Sequence, residues 1–203
     1  SEAIPPGQAV VFRSLFALPV ILVWLMLQHD LRHGFETSNP MGHLWRGLVG
    51  TTAMGLGFAG LGLLPLPEVT AIGYAAPILV VVFAAMFLGE NVRLFRLSMV
   101  GLGMGGVLIV LSPRLAIDPT TAETGQALGA VLVLMGAICA ALAQVFVRKL
   151  VQTERTAAIV FYFSITATLL SLMPLPWGWV WPTPGQAAML VAAGLLGGFG
   201  QIL

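Results

Sequence analysis

The chain has 203 residues, of which 58% are hydrophobic and 8% charged, and its formal net charge is +1. Water-soluble domains run at roughly 45–50% apolar and about 25% charged, so this composition excludes an ordinary globule, and the sparse charge excludes a nucleic-acid surface. Cys139 is the sole cysteine, which excludes an internal disulfide.

Apolar runs of about 20 residues, the length that matches the hydrocarbon core of a bilayer, recur along the chain. They predict seven spanning helices: about Gln8 to Gln28, His43 to Leu64, Glu68 to Leu88, Leu94 to Ser112, Gly125 to Leu150, Thr156 to Leu175, and Gly185 to Leu203. They are too uninterrupted for barrel strands, which alternate polar and apolar over about ten residues. The first run has neither a basic leader nor a small-residue cleavage site, so it reads as a span and not as a cleavable signal. Ser1 stands where an initiator methionine is expected and the last run reaches Leu203 without a polar flank, so the chain reads as a stretch of a longer protein.

Successive loops alternate sides. Arg32, Arg46, Arg93, Arg96, Arg148, Lys149 and Arg155 fall on one side and only Arg114 on the other. Lys and Arg resist translocation, so the first side is cytoplasmic. Arg13 is the one basic residue well inside a span, where at midplane it would cost about 2.5–3.5 kcal/mol. It stands only roughly 7–8 Å from the outer boundary of its predicted helix at 1.5 Å per residue. Two readings follow: it snorkels or pairs with another helix, or it holds an anionic group of a solute.

The third run opens on Pro65-Leu66-Pro67-Glu68, an outer turn. Its prolines stop one helix where no donor is needed, and the Glu68 carboxylate suits the positive end of the next helix dipole. The competing reading makes Glu68 a proton-coupling carboxylate. Pro77, about three turns into that helix, removes a backbone donor and frees a carbonyl where lipid cannot satisfy it, while Gly73 and Tyr74 weaken the same stretch. This predicts either a packed kink or a bend that lines a polar cavity.

A repeat crosses the chain. Val10-Val11-Phe12-Arg13 resembles Ile159-Val160-Phe161-Tyr162, and the glycine-rich Gly47 to Gly62 has a partner in Gly194 to Gly200; each pair is five spans apart. An odd separation reverses the second copy, which predicts inverted halves of the kind used by alternating-access carriers.

The segment LPLPEVTAIGYAAPILVVVFAAMFLGENVRLFR, residues 64–96, carries a tight proline-bearing turn, a small-residue helix with a central proline, then Gly-Glu and a basic loop. It resembles the signature of the EamA-type permeases of the drug/metabolite transporter superfamily. LSMVGLGMGGVLIVLSP and AICAALAQVFVRKL look like the same family, so the resemblance covers nearly the entire chain. It implies an all-α, multi-pass inner-membrane carrier of ten helices in two inverted halves of five. On that pattern residues 1–113 are the first repeat without its first helix, and residues 114–203 are a truncated second repeat. The resemblance also places the helices of Tyr74 and Gln144 beside a central cavity. With Arg13, Tyr162 and Gln201 they are the candidate substrate-binding residues, and Gly73 and Pro77 the candidate kink or gate. Interhelical hydrogen bonding at about 0.6–2 kcal/mol would by itself account for either glutamine taken alone, whereas an apolar pocket with a few polar groups is how small solutes are held. Trp45, Phe58 and Phe161 read as interfacial or packing residues.

Enzyme signatures are absent or out of context. Gly101 to Gly106, GLGMGG, satisfies G-x-G-x-x-G, but inside a spanning helix it lacks the strand and water-exposed helix start that a dinucleotide needs. Gly101 and Gly105 instead have the spacing for close helix approach. His29 and His33 are four apart without an H-E-x-x-H, and His43 is isolated in sequence. No nucleophile elbow, metal set or cofactor site is expected. The expected partners are the bilayer and a small neutral or zwitterionic metabolite, such as an amino acid, vitamin or nucleobase-like compound, with proton coupling and homodimerisation left open. The alternative functions are a channel-like protein and a noncatalytic membrane subunit.

Overall fold

The computed structural model describes residues 4–27, 35–115, 121–173 and 178–202. Expectations that fall on Ser1, Gln28, His29, Arg32, His33, Leu175 and Leu203 lie outside them. Every element among the described residues is helical: α1 (Pro6–Leu27), α2 (Pro40–Leu61), α3 (Leu66–Gly73), α4 (Ala75–Leu88), α5 (Leu94–Leu115), α6 (Thr121–Leu150), α7 (Thr156–Leu172) and α8 (Pro184–Ile202). Among the described residues four apolar stretches have the length and composition to cross a bilayer, at Pro6–Leu27, Leu66–Leu88, Leu94–Ser112 and Gly125–Leu150, and the apolar α7 is shorter. The chain is a multi-pass helical membrane protein.

The helix ends follow from local chemistry. Asn39 caps α2: its Oδ1 accepts the Gly42 amide at 3.0 Å, and Pro40, at the first helical position, has no donor to lose. Thr183 and Gln186 form a capping box at α8, with the Gln186 Oε1 accepting the Thr183 amide at 3.0 Å and the Thr183 hydroxyl accepting the Gln186 amide at 3.4 Å. At the end of α4, Gly89 adopts φ 67°, a left-handed conformation that a side chain would oppose.

The single third helix expected from Glu68 to Leu88 is interrupted, because α3 ends at Gly73 and α4 begins at Ala75. Pro77 has no N–H for the Gly73 carbonyl, so the ladder breaks one residue later, at Tyr74 (φ −62°, ψ −9°). Glu68 lies in the first turn of α3, where its charge complements the dipole.

The chain forms two compact units, one of Ser1–Thr51 and Phe146–Leu203 and one of Thr52–Val145, with the divisions inside α2 and α6. In the first unit α1 packs on α7 and α8. Its core holds Ala17, Ile21 and Leu25 of α1 with Ala157 and Val160 of α7, bordered by Trp24, Phe35 and Phe161. Close approach of α1 and α8 depends on glycines: a Cβ on Gly194 would stand 2.8 Å from the Phe12 carbonyl oxygen, and one on Gly198 would stand 3.0 Å from the Ala17 Cα. In the second unit Leu64, Ile72, Leu111, Ala130 and Val133 form one core cluster, and Ala75, Val107 and Ala137 another.

The expected close-approach pair in α5 is corrected here. No atom of the described residues lies within 4 Å of a Cβ placed on Gly101 or Gly105, whereas one on Gly103 would meet the Ile78 Cδ1 of α4 at 2.6 Å. The face of α5 that meets α4 runs through Gly103 and the buried Val107, one turn on, and Gly101 and Gly105 lie off that face.

Candidate functional site

In the first unit, Gly197 leaves room on α8 for the side chain of Arg13, whose Nε lies 3.4 Å and Cγ 3.6 Å from where a glycine-replacing Cβ would sit. Gln201 follows one turn along the same face of α8. Arg13 Nε and Gln201 Oε1 are both buried without a hydrogen-bond partner among the described residues, as are the hydroxyls of Ser14 on α1 and Ser164 on α7. Buried polar atoms are nearly always paired, so these four, like those of His43 and Arg46 on α2, are candidate groups for a ligand to satisfy. On α1, Phe12 stacks on Phe16 at 5.8 Å and meets Trp179 at 6.2 Å, while Gln8 Nε2 donates to the Val180 carbonyl at 2.8 Å. A cleft of about 480 Å³ lined by Pro19, Val20, Val23, Trp24, Leu27, Leu195 and Phe199 runs between α1 and α8.

Tyr162 lies in the same unit but is already engaged. Its hydroxyl donates to the Phe35 carbonyl at 2.9 Å, and its ring centroid is 4.9 Å from that of His43. His43, bland in sequence, is buried and places Nε2 3.5 Å from Glu154 Oε2, within ion-pair range. One turn on along α2, the Arg46 guanidinium stacks 3.5 Å above the Phe163 ring, a cation–π contact.

In the second unit Gly73, Tyr74 and Pro77 are brought together at the α3–α4 break, with Tyr74 64% exposed. Gln144 is an exposed residue of α6. Among the described residues no group of three or more His, Cys, Asp or Glu is placed to hold a metal.

Glu154, Ser14 and Ser164 escaped the sequence reading. For Glu154 a signal exists: an acid in the short turn Gln152-Thr153-Glu154-Arg155, opposite the Thr37-Ser38-Asn39-Pro40 helix start on the same side of the loop alternation. Nothing in an apolar run distinguishes Ser14 or Ser164 from the serines and threonines that bond the preceding turn, as Thr166 and Thr168 do.

Residues 1–112 match the model of the EamA-like transporter family. The chain is 29% identical over its full length to a pseudopaline exporter of Pseudomonas aeruginosa, spanning 68% of that protein. It is 24% identical, over 95% of its length, to an S-adenosylmethionine uptake transporter of Rickettsia prowazekii, of which it spans 62%. A riboflavin transporter of Rhizobium johnstonii is 25% identical over 91% of the chain, which spans 57% of it. One crystal structure shares the fold, with a TM-score of 0.71 at 21% identity over 99% of this chain and 70% of that one.

Proposed function

The chain belongs to the EamA-like transporter family, and we propose that it is the larger part of an inner-membrane secondary transporter that moves a small organic metabolite by alternating access. In this reading seven helices are spans of a ten-helix carrier, residues 1–113 and 114–203 belong to oppositely oriented repeats, and the basic loops face the cytoplasm. The observation that carries it is the set of unpartnered buried polar atoms on Arg13, Ser14, Ser164 and Gln201. A solute can satisfy them while bound and lipid cannot.

The binding chemistry follows from those groups. One guanidinium suits one carboxylate, and the serine and glutamine oxygens take neutral donors, so the substrate class is a neutral or zwitterionic metabolite. The matched exporter and uptake transporters act, by their names, on pseudopaline, S-adenosylmethionine and riboflavin, which supports a small organic solute. Tyr74 and Gln144 are further candidate substrate-binding residues, Gly73 and Pro77 the candidate kink or gate, and Glu68 a candidate coupling carboxylate.

Counterflow in proteoliposomes tests this reading, with labelled S-adenosylmethionine, riboflavin and an amino-acid panel as probes. Saturable exchange is expected, with Arg13→Gln raising KM about tenfold or more. Non-saturating flux would indicate a channel instead, and no flux with any probe a noncatalytic subunit. Unchanged KM in Arg13→Gln, Tyr74→Phe and Gln144→Ala would remove the site assignment.

A further inference from the structure

Glu154 lies in the α6–α7 turn, outside the apolar helices, yet its side chain is only 2% exposed. Its Oε1 accepts the Ser38 amide at 2.9 Å, the Ser38 hydroxyl at 2.8 Å and the Asn39 amide at 3.0 Å, and its Oε2 faces His43. All of these groups belong to the start of α2 or to the residues just before it, and Asn39 is itself the cap of that helix. One carboxylate on one turn therefore holds both the entry and the cap of another helix.

A second tie lies beside it, where Tyr162 of α7 bonds the Phe35 carbonyl and Phe161 packs on the Phe35 ring at 4.4 Å. Deeper between α2 and α7 the contacts are close. A Cβ on Gly47 would stand 2.6 Å from the Thr166 Cγ2, and one on Gly50 2.9 Å from the Phe163 ring. The Arg46 guanidinium over the Phe163 ring lies deeper in this seam, and the Glu154 and Tyr162 hydrogen bonds tie its end. Because Glu154 and its donors sit in turns, water can take up each of them on release.

We propose that Glu154 is a latch: its carboxylate closes the cytoplasmic end of the α2–α7 seam, and its release from Ser38 and Asn39 opens that end. The latch rests on the carrier reading above, in which Ser38 and Asn39 belong to the first repeat and Glu154 to the second, so rocking of the repeats must part them.

The test uses the intact protein in inside-out vesicles, with Cys139→Ser and a reporter Thr166→Cys beneath the latch. The rate of labelling by a membrane-impermeant maleimide is expected to rise about fivefold or more in Glu154→Ala and about twofold in Ser38→Ala. Ser38→Ala changes one exposed loop hydroxyl, so it decides the matter if Glu154→Ala unfolds. Rates equal to the parent in folded variants overturn the latch. Counterflow on the same preparations separates the two readings: flux without a labelling change overturns the latch alone, and a labelling change without flux overturns the carrier reading alone.

Discussion

Burial by itself would raise the pKa of the Glu154 carboxyl, but the Ser38 hydroxyl and amide, His43 and Thr37 outweigh it and hold the group below the usual glutamate range. The folded-state pKa is then lower than the unfolded one, so the stabilisation is complete above about pH 4.3 and is lost as pH falls through the folded value. Thermal melts in detergent should show the parent losing more stability between neutral and acidic pH than Glu154→Gln, which has no proton to gain. At neutral pH, Glu154→Ala should cost about 2–3 kcal/mol, because it leaves the Ser38 and Asn39 donors without their charged acceptor. A variant as stable as the parent would mean that water replaces the carboxylate. Arg13 and Gln201 were legible in sequence because polar groups stand out in apolar runs. Glu154 was not, because its partner Ser38 is 116 residues away along the chain.

At the level of the element, proline and glycine acted through different physics. Pro77 carries its effect in its own covalent structure, since it lacks a donor wherever it stands; a weakened helix around Gly73 and Tyr74 could therefore be read in advance, and the break falls at Tyr74. The glycines of α5 and α8 act only through a neighbour. Gly194→Ala should cost about 1–3 kcal/mol, because its Cβ would stand 2.6 Å from the Phe16 Cβ and 2.8 Å from a backbone oxygen, and α1 and α8 must separate. Gly101→Ala meets nothing within 4 Å and should leave the melting temperature unchanged or raise it. Equal losses in both variants would show that helix propensity, not helix contact, sets the difference. The G-x-x-x-G spacing marked α5 as a packing helix but could not say which of its faces is used.

For the whole molecule, the two compact units cut across α2 and α6. The proposed topology makes a prediction independent of either unit. In the Cys139→Ser background, cysteines at Arg93 and Arg114 should label with an impermeant reagent from opposite faces of the membrane, since they flank the single span of α5. Labelling from the same face would end the alternating arrangement and, with it, the inverted repeats. Membrane class and family were readable from the chain because apolar length and composition are sums over local residues, and a bilayer accepts only runs of a certain length.

What the amino-acid sequence determined by itself is thus the set of properties held within about 20 consecutive residues: helical spans, the Pro77 weakness and a transporter signature. Only the tertiary structure decided that Gly103 rather than Gly101 meets α4, that Gly197 makes room for Arg13, that Tyr162 is tied to Phe35, and that Glu154 clasps the start of α2. Each of these depends on two side chains far apart in the chain meeting at hydrogen-bond or van der Waals distance, and no periodicity along one helix specifies which residue of another it will face.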